Sequence, residues 1–573
     1  MRGDARLLRR KPVSGRENNM KILEGTGTSG GIAVGRARLL AAPSAVEEEI
    51  PGKGAREEAR RCREAADAVR RELRGLRERA AEAAGEAEAQ IFEIHALLLD
   101  DPDFTGEIQR QLDGGAAAET AVRRAGETLA AEFEALGDPN IRERAADIRD
   151  VSRRLLSALG GGGGLSGEGE PDGPVVLVAD ELTPSDTLSL DRSRVAGFVT
   201  RRGSAASHVS ILARAMGIPA VVGIAAAPEL EGRLLAVDGD AGRVTVDPDE
   251  AALSEARSRR RAAARRLGRL RAGGFPPAET RGGIRVELAG NIGAPGEARA
   301  VLENGGEAVG LFRSEFLYLG RETPPDEETQ YLAYREALER MEGRRVIVRT
   351  VDIGSDKRAP CLDTGREENP ALGWRAIRIC LDRRELFRTQ LRALLRASVH
   401  GRLAVMFPMI ASLQELRCAR KLLGEARAEL EAEGTGTASV EVGVMIETPA
   451  AAVLSDLLAR EADFFSIGTN DLTQYTLAAD RMNERIAGYY RPADPAVLRL
   501  MKLTAENARK NGVWTGVCGE SAADPALIPL YLAMGITELS MSPAALPEAR
   551  ERVRSLDMEE ARAALARALG EVE

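Results

Sequence analysis

The chain has 573 residues, of which 44% are hydrophobic, 29% charged and only 3% aromatic, and its formal net charge is −9. That length exceeds one ordinary core and calls for about two to four domains, and the balance is that of a globular chain with no apolar run near the roughly 18 residues of a membrane span. The acidic balance and scarce aromatic rings argue against general nucleic-acid binding and base stacking, and five cysteines without C-x-x-C spacing indicate neither a disulfide framework nor a zinc site, which fits a cytoplasmic protein.

Residues 1–19, "MRGDARLLRRKPVSGRENN", are basic but lack the apolar stretch and cleavage site of a secretory signal, and they read as a tail ahead of Met20. "GTGTSGGIAVGRARLL" then reads as Gly-punctuated β structure with Val34 and Leu39 at buried positions. Residues 51–160 turn to Ala, Glu, Arg and Leu at helical spacing, with Val69, Leu73, Leu76 and Ala80 on one stripe. This helical bundle breaks at "DDPDF" and ends in the flexible "LGGGGGLSGEGEPDGP". Four β runs follow, "PVVLVADELTP", "RVAGFVT", "IPAVVG" and "LLAVDGDAGRVTVDP". Together with the early β segment they predict an α/β domain of residues 20–50 and 171–250 into which the helical block is inserted. Residues 251–275 form an Arg-rich helix without an apolar face, a solvated connector.

From residue 276 to 573 the rhythm is regular. Eight β runs alternate with helices: "IRVELAGNI", "AVGLFRSEF", "RVIVRTVDI", "RLAVMFPMI", "VEVGVMIET", "DFFSIGTND", "VWTGVCGES" and "ITELSMSP". The pattern and size predict a (β/α)8 barrel, with "NPALGWRAIRICL" readable as either a further strand or a helix. The polar residues sit where such a barrel keeps its active site, at the ends of the strands. Arg313 follows "AVGLF", Arg349 follows "RVIV", Glu447 follows "VEVGVMI", Asn470 and Asp471 follow "FFSIGT", and Cys518 follows "VWTGV". Two arginines with two carboxylates form either a network of ion pairs or an anion site with a hard divalent cation, since Arg offers forked donors to phosphate and Mg²⁺ takes one or two carboxylates plus substrate oxygens. Cys518 is either a buried small apolar group or a proton-transfer group.

One of only three histidines lies in "RRGSAASHVSILARAMGIPAVVG". Ser204 and Ser207 are N-cap residues and Val209, Ile211, Leu212 and Met216 are helical apolar positions, which puts His208 in a first helical turn. Unpaired amides and the positive dipole end there favour a neutral imidazole as nucleophile and a phosphate once attached, and a capping histidine is the alternative.

These segments, taken together, resemble Enzyme I of the bacterial phosphoenolpyruvate-dependent sugar phosphotransferase system from residue 20 to the C-terminus. The resemblance is carried by "GSAASHVSILARAMGIPAVVG", "VGLFRSEFLYL", "VRTVDIGSDK", "NPALGWRAIRICL", "VMIETPAA", "SIGTNDLTQYTLAADR" and "VCGESAADP", with "IFEIHALLLDDPDF" and "DIRDVSRRLL" in the inserted block. It implies that His208 takes the phosphoryl group of phosphoenolpyruvate, releasing pyruvate, and passes it to the phosphocarrier HPr. It further implies that Arg313, Arg349 and Arg481 bind substrate oxygens with Asn470 assisting, that Lys357 belongs to the same site, that Glu447 and Asp471 ligate Mg²⁺, and that Cys518 protonates the enolate. A swivel between domains and a homodimer through the barrel are implied as well. HPr would dock on the inserted block around Glu93, His95, Asp100 and Asp101, whose plain reading is a solvated helix face. An Enzyme I-like paralogue serving another carrier, and a non-catalytic scaffold, are the rival readings. The family commonly reads G-G-R-T-S-H, whereas this chain has Gly203, Ser204, Ala205, Ala206, Ser207, His208. Support for the phosphorylated ring is then either weaker or supplied by other groups, of which Arg201, Arg202 and Ser204 are the candidates.

Overall fold

The computed structural model describes residues 20–39, 54–84, 92, 94–135, 139–159, 173–179, 194–201, 210, 213, 217–224, 228–272, 274–319, 321–354, 359–362, 364–365, 367–481 and 483–571. Two sheets organise them. The first contains β1 (Lys21–Glu24), β2 (Thr26–Ser29), β3 (Ile32–Leu39), β4 (Val175–Ala179), β5 (Val195–Thr200), β6 (Ala220–Val222), β7 (Leu234–Asp238) and β8 (Arg243–Val246). Their order is β1-β8-β7-β3-β4-β5-β6-β2. β3 is central, pairing parallel with β4 from Arg36↔Val175 and antiparallel with β7 from Ile32↔Asp238. Two strands far apart in sequence are thus hydrogen-bonded neighbours, and the helical residues between them leave and return at adjacent positions of one sheet.

Those helices are α1 (Ala55–Ala84), α2 (Pro102–Asp113), α3 (Ala118–Ala135) and α4 (Pro139–Leu159). Val69, Leu73 and Leu76 of α1 meet Phe104, Val122, Ala125, Ile148, Val151 and Leu155 in one core. The break at "DDPDF" is a capping event: the Asp101 side chain accepts from Asp103 N and Phe104 N, and Pro102 occupies the first helical position, where its missing N–H costs nothing. After the first sheet, α5 (Glu250–Ala272) is largely exposed, tied by Arg259 to Asp238 at 2.6 Å and by Arg266 to Glu551.

The second sheet is a closed parallel barrel of β9 (Glu287–Ile292), β10 (Ala308–Arg313), β11 (Val346–Arg349), β12 (Leu403–Phe407), β13 (Glu441–Ile446), β14 (Phe464–Ile467), β15 (Trp514–Val517) and β16 (Glu538–Met541), with β16 pairing back onto β9. All eight β runs read from the sequence are barrel strands. The strands are apolar almost throughout because both faces are covered, the inner by Leu311, Ile347, Ala404, Met406, Met445 and Phe464 and the outer by a shell of helices. Typical of that shell is Leu413–Ala432, opened by a capping box in which Ser412 and Glu415 satisfy each other's amides. The ambiguous "NPALGWRAIRICL" is no strand: it forms a 3-10 turn, Pro370–Leu372, and α6 (Ile377–Asp382). The turn into α6 passes through Ala376 at φ 51, a left-handed value that ends extended structure there.

Candidate active site at the C-terminal end of the barrel

Strand direction alone places the polar residues together on one rim. Arg313 and Arg349 are the last residues of β10 and β11, Glu447 follows β13, Cys518 follows β15, and Asn470 and Asp471 open α7 (Thr469–Leu477) after β14. The C-terminal rim of such a barrel is where its chemistry is built.

Arg349 is buried and its guanidinium pairs with Glu315 and, at 3.0 Å, with Asp352, while Nη1 also reaches Met445 Sδ at 3.7 Å. Asp352 in turn pairs with Arg375 at 3.0 Å. Burial opposes the charge on Arg349, but Glu315, Asp352 and Glu447 more than reverse this and hold it protonated. Its buried Nε has no hydrogen-bond partner among the described residues, a donor still open to a ligand. Arg313 and Arg481 are half-buried, and neither guanidinium forms an ion pair or hydrogen bond with another described residue. Two of these four arginines thus carry guanidiniums uncommitted within the described structure, an arrangement that suits an anion site better than a closed ion-pair lattice.

Glu447 is buried and its Oε1 accepts from Met409 N at 2.6 Å, an amide presented by the turn after β12, where Met409 has φ 54. Burial, with the charges of Asp471 and Asp352 adding and Arg349 opposing, pushes this carboxyl up to about 8. A carboxylate so placed, next to a second one, calls for a cation. Among the described residues no group of three or more His, Cys, Asp and Glu converges as a complete metal cage. Two carboxylates, Glu447 and Asp471, are nevertheless the hard-oxygen set that Mg²⁺ takes when substrate oxygens complete its shell. The pair therefore fits the ion.

Cys518 is buried, its main-chain N–H donates to Ile467 O at 3.1 Å, and burial, with the charge of Glu447 adding, lifts the thiol to about 12. It is a thiol, not a thiolate, at neutral pH, which suits a proton donor and disfavours a nucleophile. Beside it Asn470 Oδ1 accepts from Glu520 N at 3.1 Å and its carbonyl accepts from Tyr490 OH at 3.2 Å.

Sequence reasoning passed over Glu315, Asp352 and Arg375. Glu315 and Asp352 lie two and three residues beyond strand-end arginines, and Arg375 lies inside "NPALGWR", but only the closed barrel shows that they form one charge chain with Arg349. His208, Lys357 and Glu93 lie outside the described residues. The other residues proposed for the partner face divide. Asp100 is exposed and pairs with Arg70 at 2.6 Å, whereas Asp101 is occupied as the cap of α2. His95 is a correction: it is 1% exposed, with Nε2 3.2 Å from Asp147 and Nδ1 3.3 Å from Asp150, so it braces the bundle interior and presents nothing to a partner. The large side chains the same turn does expose are Ile94 and Leu97. No helix among the described residues is long and apolar enough to cross a membrane.

Comparison with known proteins agrees with this geometry. Residues 270–558 match the phosphoenolpyruvate-binding domain of phosphoenolpyruvate-utilising enzymes, residues 24–144 their N-terminal domain and residues 171–242 their mobile domain. The phosphoenolpyruvate-protein phosphotransferase of Listeria innocua is 45% identical over 544 residues, covering 94% of this chain and 95% of that protein. The one from Priestia megaterium is 45% identical over 540 residues, covering 94% of each chain. The one from Bacillus subtilis is 43% identical over 546 residues, covering 95% and 96%. With the rim of arginines, paired carboxylates and a protonated cysteine in place, these likenesses show that the chain belongs to the phosphoenolpyruvate-protein phosphotransferases, the Enzyme I family of phosphoenolpyruvate-utilising enzymes.

Proposed function

We propose that this enzyme moves the phosphoryl group of phosphoenolpyruvate onto His208 and then onto a histidine of HPr, the entry step of phosphotransferase-driven sugar uptake. The observation that carries the reading is the rim itself: charged donors, a carboxylate pair and a thiol held protonated, converging from strands in a chain 45% identical to named phosphotransferases.

Arg313, Arg349 and Arg481, with Lys357 and Asn470, bind the phosphate and carboxylate oxygens of the substrate. Arg349 is fixed for this by Glu315 and Asp352, and Asp352 also aligns Arg375. Glu447 and Asp471 would hold Mg²⁺, which when bound would supply neutralisation of the substrate's negative charge. The imidazole of His208 attacks phosphorus in line, the bond from phosphorus to the enol oxygen breaks, and the Cys518 thiol gives its proton to C3 so that pyruvate leaves. Beyond the nucleophile and the proton donor, positioning and charge stabilisation make up most of the protein's task in such a transfer. In sequence His208 falls within residues 171–250, so a swivel of residues 20–50 and 171–250 against the barrel, about residues 251–275, carries it from substrate to acceptor. The acceptor docks on the inserted helices at residues 51–160, where Glu93, Asp100 and Asp101 meet a basic rim, and the barrel of residues 276–573 supplies the homodimer contact.

The test is stoichiometry. With phosphoenolpyruvate and Mg²⁺ alone, pyruvate release followed by coupled reduction stops at one equivalent per chain and resumes when HPr is added. His208→Ala releases none. Continued release without an acceptor would refute the phosphoenzyme.

A further inference from the structure

The main chain at Cys518 is held from two sides. Its N–H is bound to β14 through Ile467 O at 3.1 Å. Its carbonyl accepts a hydrogen bond at 3.0 Å from Asn291 Nδ2, on β9. The same Nδ2 lies 3.4 Å from Ser540 O on β16, and Asn291 Oδ1 accepts from Ser540 Oγ at 2.5 Å. One side-chain amide therefore links β9, the end of β15 and β16, with its oxygen engaged by the buried hydroxyl of Ser540. Room for that hydroxyl exists because residue 310 on β10 is glycine: a Cβ there would stand 2.4 Å from Ser540 Oγ. Just past the thiol, Gly519 packs so closely that a Cβ would meet Thr469 Oγ1 at 1.9 Å, and Glu520 N–H donates to Asn470 Oδ1. A half-buried amide that spends its bonds on the main chain of neighbouring strands is a brace.

We propose that Asn291, oriented by Ser540, is a positioning residue that fixes the Cys518 thiol for delivery of its proton to one face of the enolate. The inference rests on the reading of Cys518 as the proton donor. In that step the S–H bond breaks, the π electrons of the enolate form a C–H bond at C3, and the thiolate left behind recovers a proton from water. Asn291 touches neither substrate nor proton. Its loss leaves the arginines that bind phosphoenolpyruvate in place and loosens only the donor. A displacement of about 1 Å at such a group costs on the order of a hundredfold in rate.

The experiment compares Asn291→Ala, Asn291→Asp, Ser540→Ala and Cys518→Ala with the unaltered enzyme, using phosphoenolpyruvate labelled stereospecifically with deuterium at C3 and turned over in tritiated water. The pyruvate is trapped by reduction and its methyl configuration determined. The expected result for both Asn291 variants is a KM for phosphoenolpyruvate unchanged, a rate of pyruvate formation lower by about ten- to a hundredfold and a methyl group of eroded chirality. Ser540→Ala, which keeps the amide but frees its rotation, falls between, and it carries the test if the Asn291 variants do not fold. Wild-type rate and facial selectivity in these variants, or a KM that rises as far as kcat falls, overturns the proposal. Cys518→Ala separates the two layers. If it retains wild-type rate and selectivity, the donor reading fails and this inference with it; if it loses both while the Asn291 and Ser540 variants keep them, this inference alone fails.

Discussion

The N-terminal end of the barrel, opposite the candidate site, holds a second buried charge problem whose sign can be worked out. Glu538 opens β16, Glu287 opens β9, and Arg345 stands just before β11 with its guanidinium paired to Glu538 at 2.6 Å and to Glu287. The same guanidinium lies 4.1 Å over the Trp514 ring, which stacks on Phe464 at 4.7 Å. Burial lifts the Glu538 carboxyl to about 7, with the charge of Glu287 adding and Arg345 opposing. In the unfolded chain this group ionises near 4.5, so between the two values the folded state binds more protons and stability falls as pH rises. The gap is equivalent to about 3 kcal/mol, present below the unfolded value and gone above the folded one. Glu538→Gln keeps the shape that packs over Gly516 but cannot ionise. It is expected to match the parent near pH 5 and to exceed it by up to about 3 kcal/mol near pH 8. Trp514 reports the site directly: the chain has two tryptophans, and with Trp374→Phe as background its fluorescence follows urea unfolding of this end of the barrel. A Glu538→Gln curve that runs parallel to the parent across the pH range, or lies below it at high pH, refutes the reasoning.

Four further outcomes follow from the same contacts. Arg349→Lys loses the fork shared by Glu315 and Asp352 and is expected to lower kcat/KM for phosphoenolpyruvate by about thirtyfold to a thousandfold, equivalent to about 2–4 kcal/mol, in a coupled pyruvate assay. Chelation of divalent cations should stop phosphate arriving from phosphoenolpyruvate yet leave phosphate already on His208 free to pass to HPr, because the carboxylate pair belongs to the barrel. Cys518, buried and with its thiol at about 12, should resist iodoacetamide at neutral pH in the folded enzyme and react only after unfolding, as peptide mapping would show. His95→Ala leaves Asp150 buried without its imidazole neighbour and should destabilise the inserted helices by about 1–3 kcal/mol in thermal unfolding, while single-turnover pyruvate release is unchanged.

How much of this was legible without coordinates depended on whether a local rule applied. Strand-end placement is such a rule: once eight β runs define a parallel barrel, Arg313, Arg349, Glu447, Asn470, Asp471 and Cys518 must share a rim whatever the loops do. The insertion was legible only as an expectation from composition, since the pairing of β3 with β4 joins residues separated by more than a hundred positions and leaves no local trace. "NPALGWRAIRICL" stayed ambiguous because its apolar spacing suits both periods, and a left-handed Ala376 decides it. His95 was misread because a histidine beside Glu93, Asp100 and Asp101 looks like one more polar residue on a wet face. Its burial comes from Asp147 and Asp150, brought up by α4 from some 50 residues away. Asn291 carried no signal at all: an asparagine in a β run is ordinary until Ser540 and Cys518 are seen beside it.

The central claim is that phosphate from phosphoenolpyruvate rests on His208 before it reaches another protein. Its most direct measurement is to incubate the enzyme with phosphoenolpyruvate labelled in the phosphate, in the presence of Mg²⁺, and to map the protein-bound label. The account predicts one acid-labile, base-stable phosphate per chain on the peptide containing His208, lost to HPr on addition and absent from His208→Ala. Label retained by His208→Ala, or found stably on another residue, would contradict it.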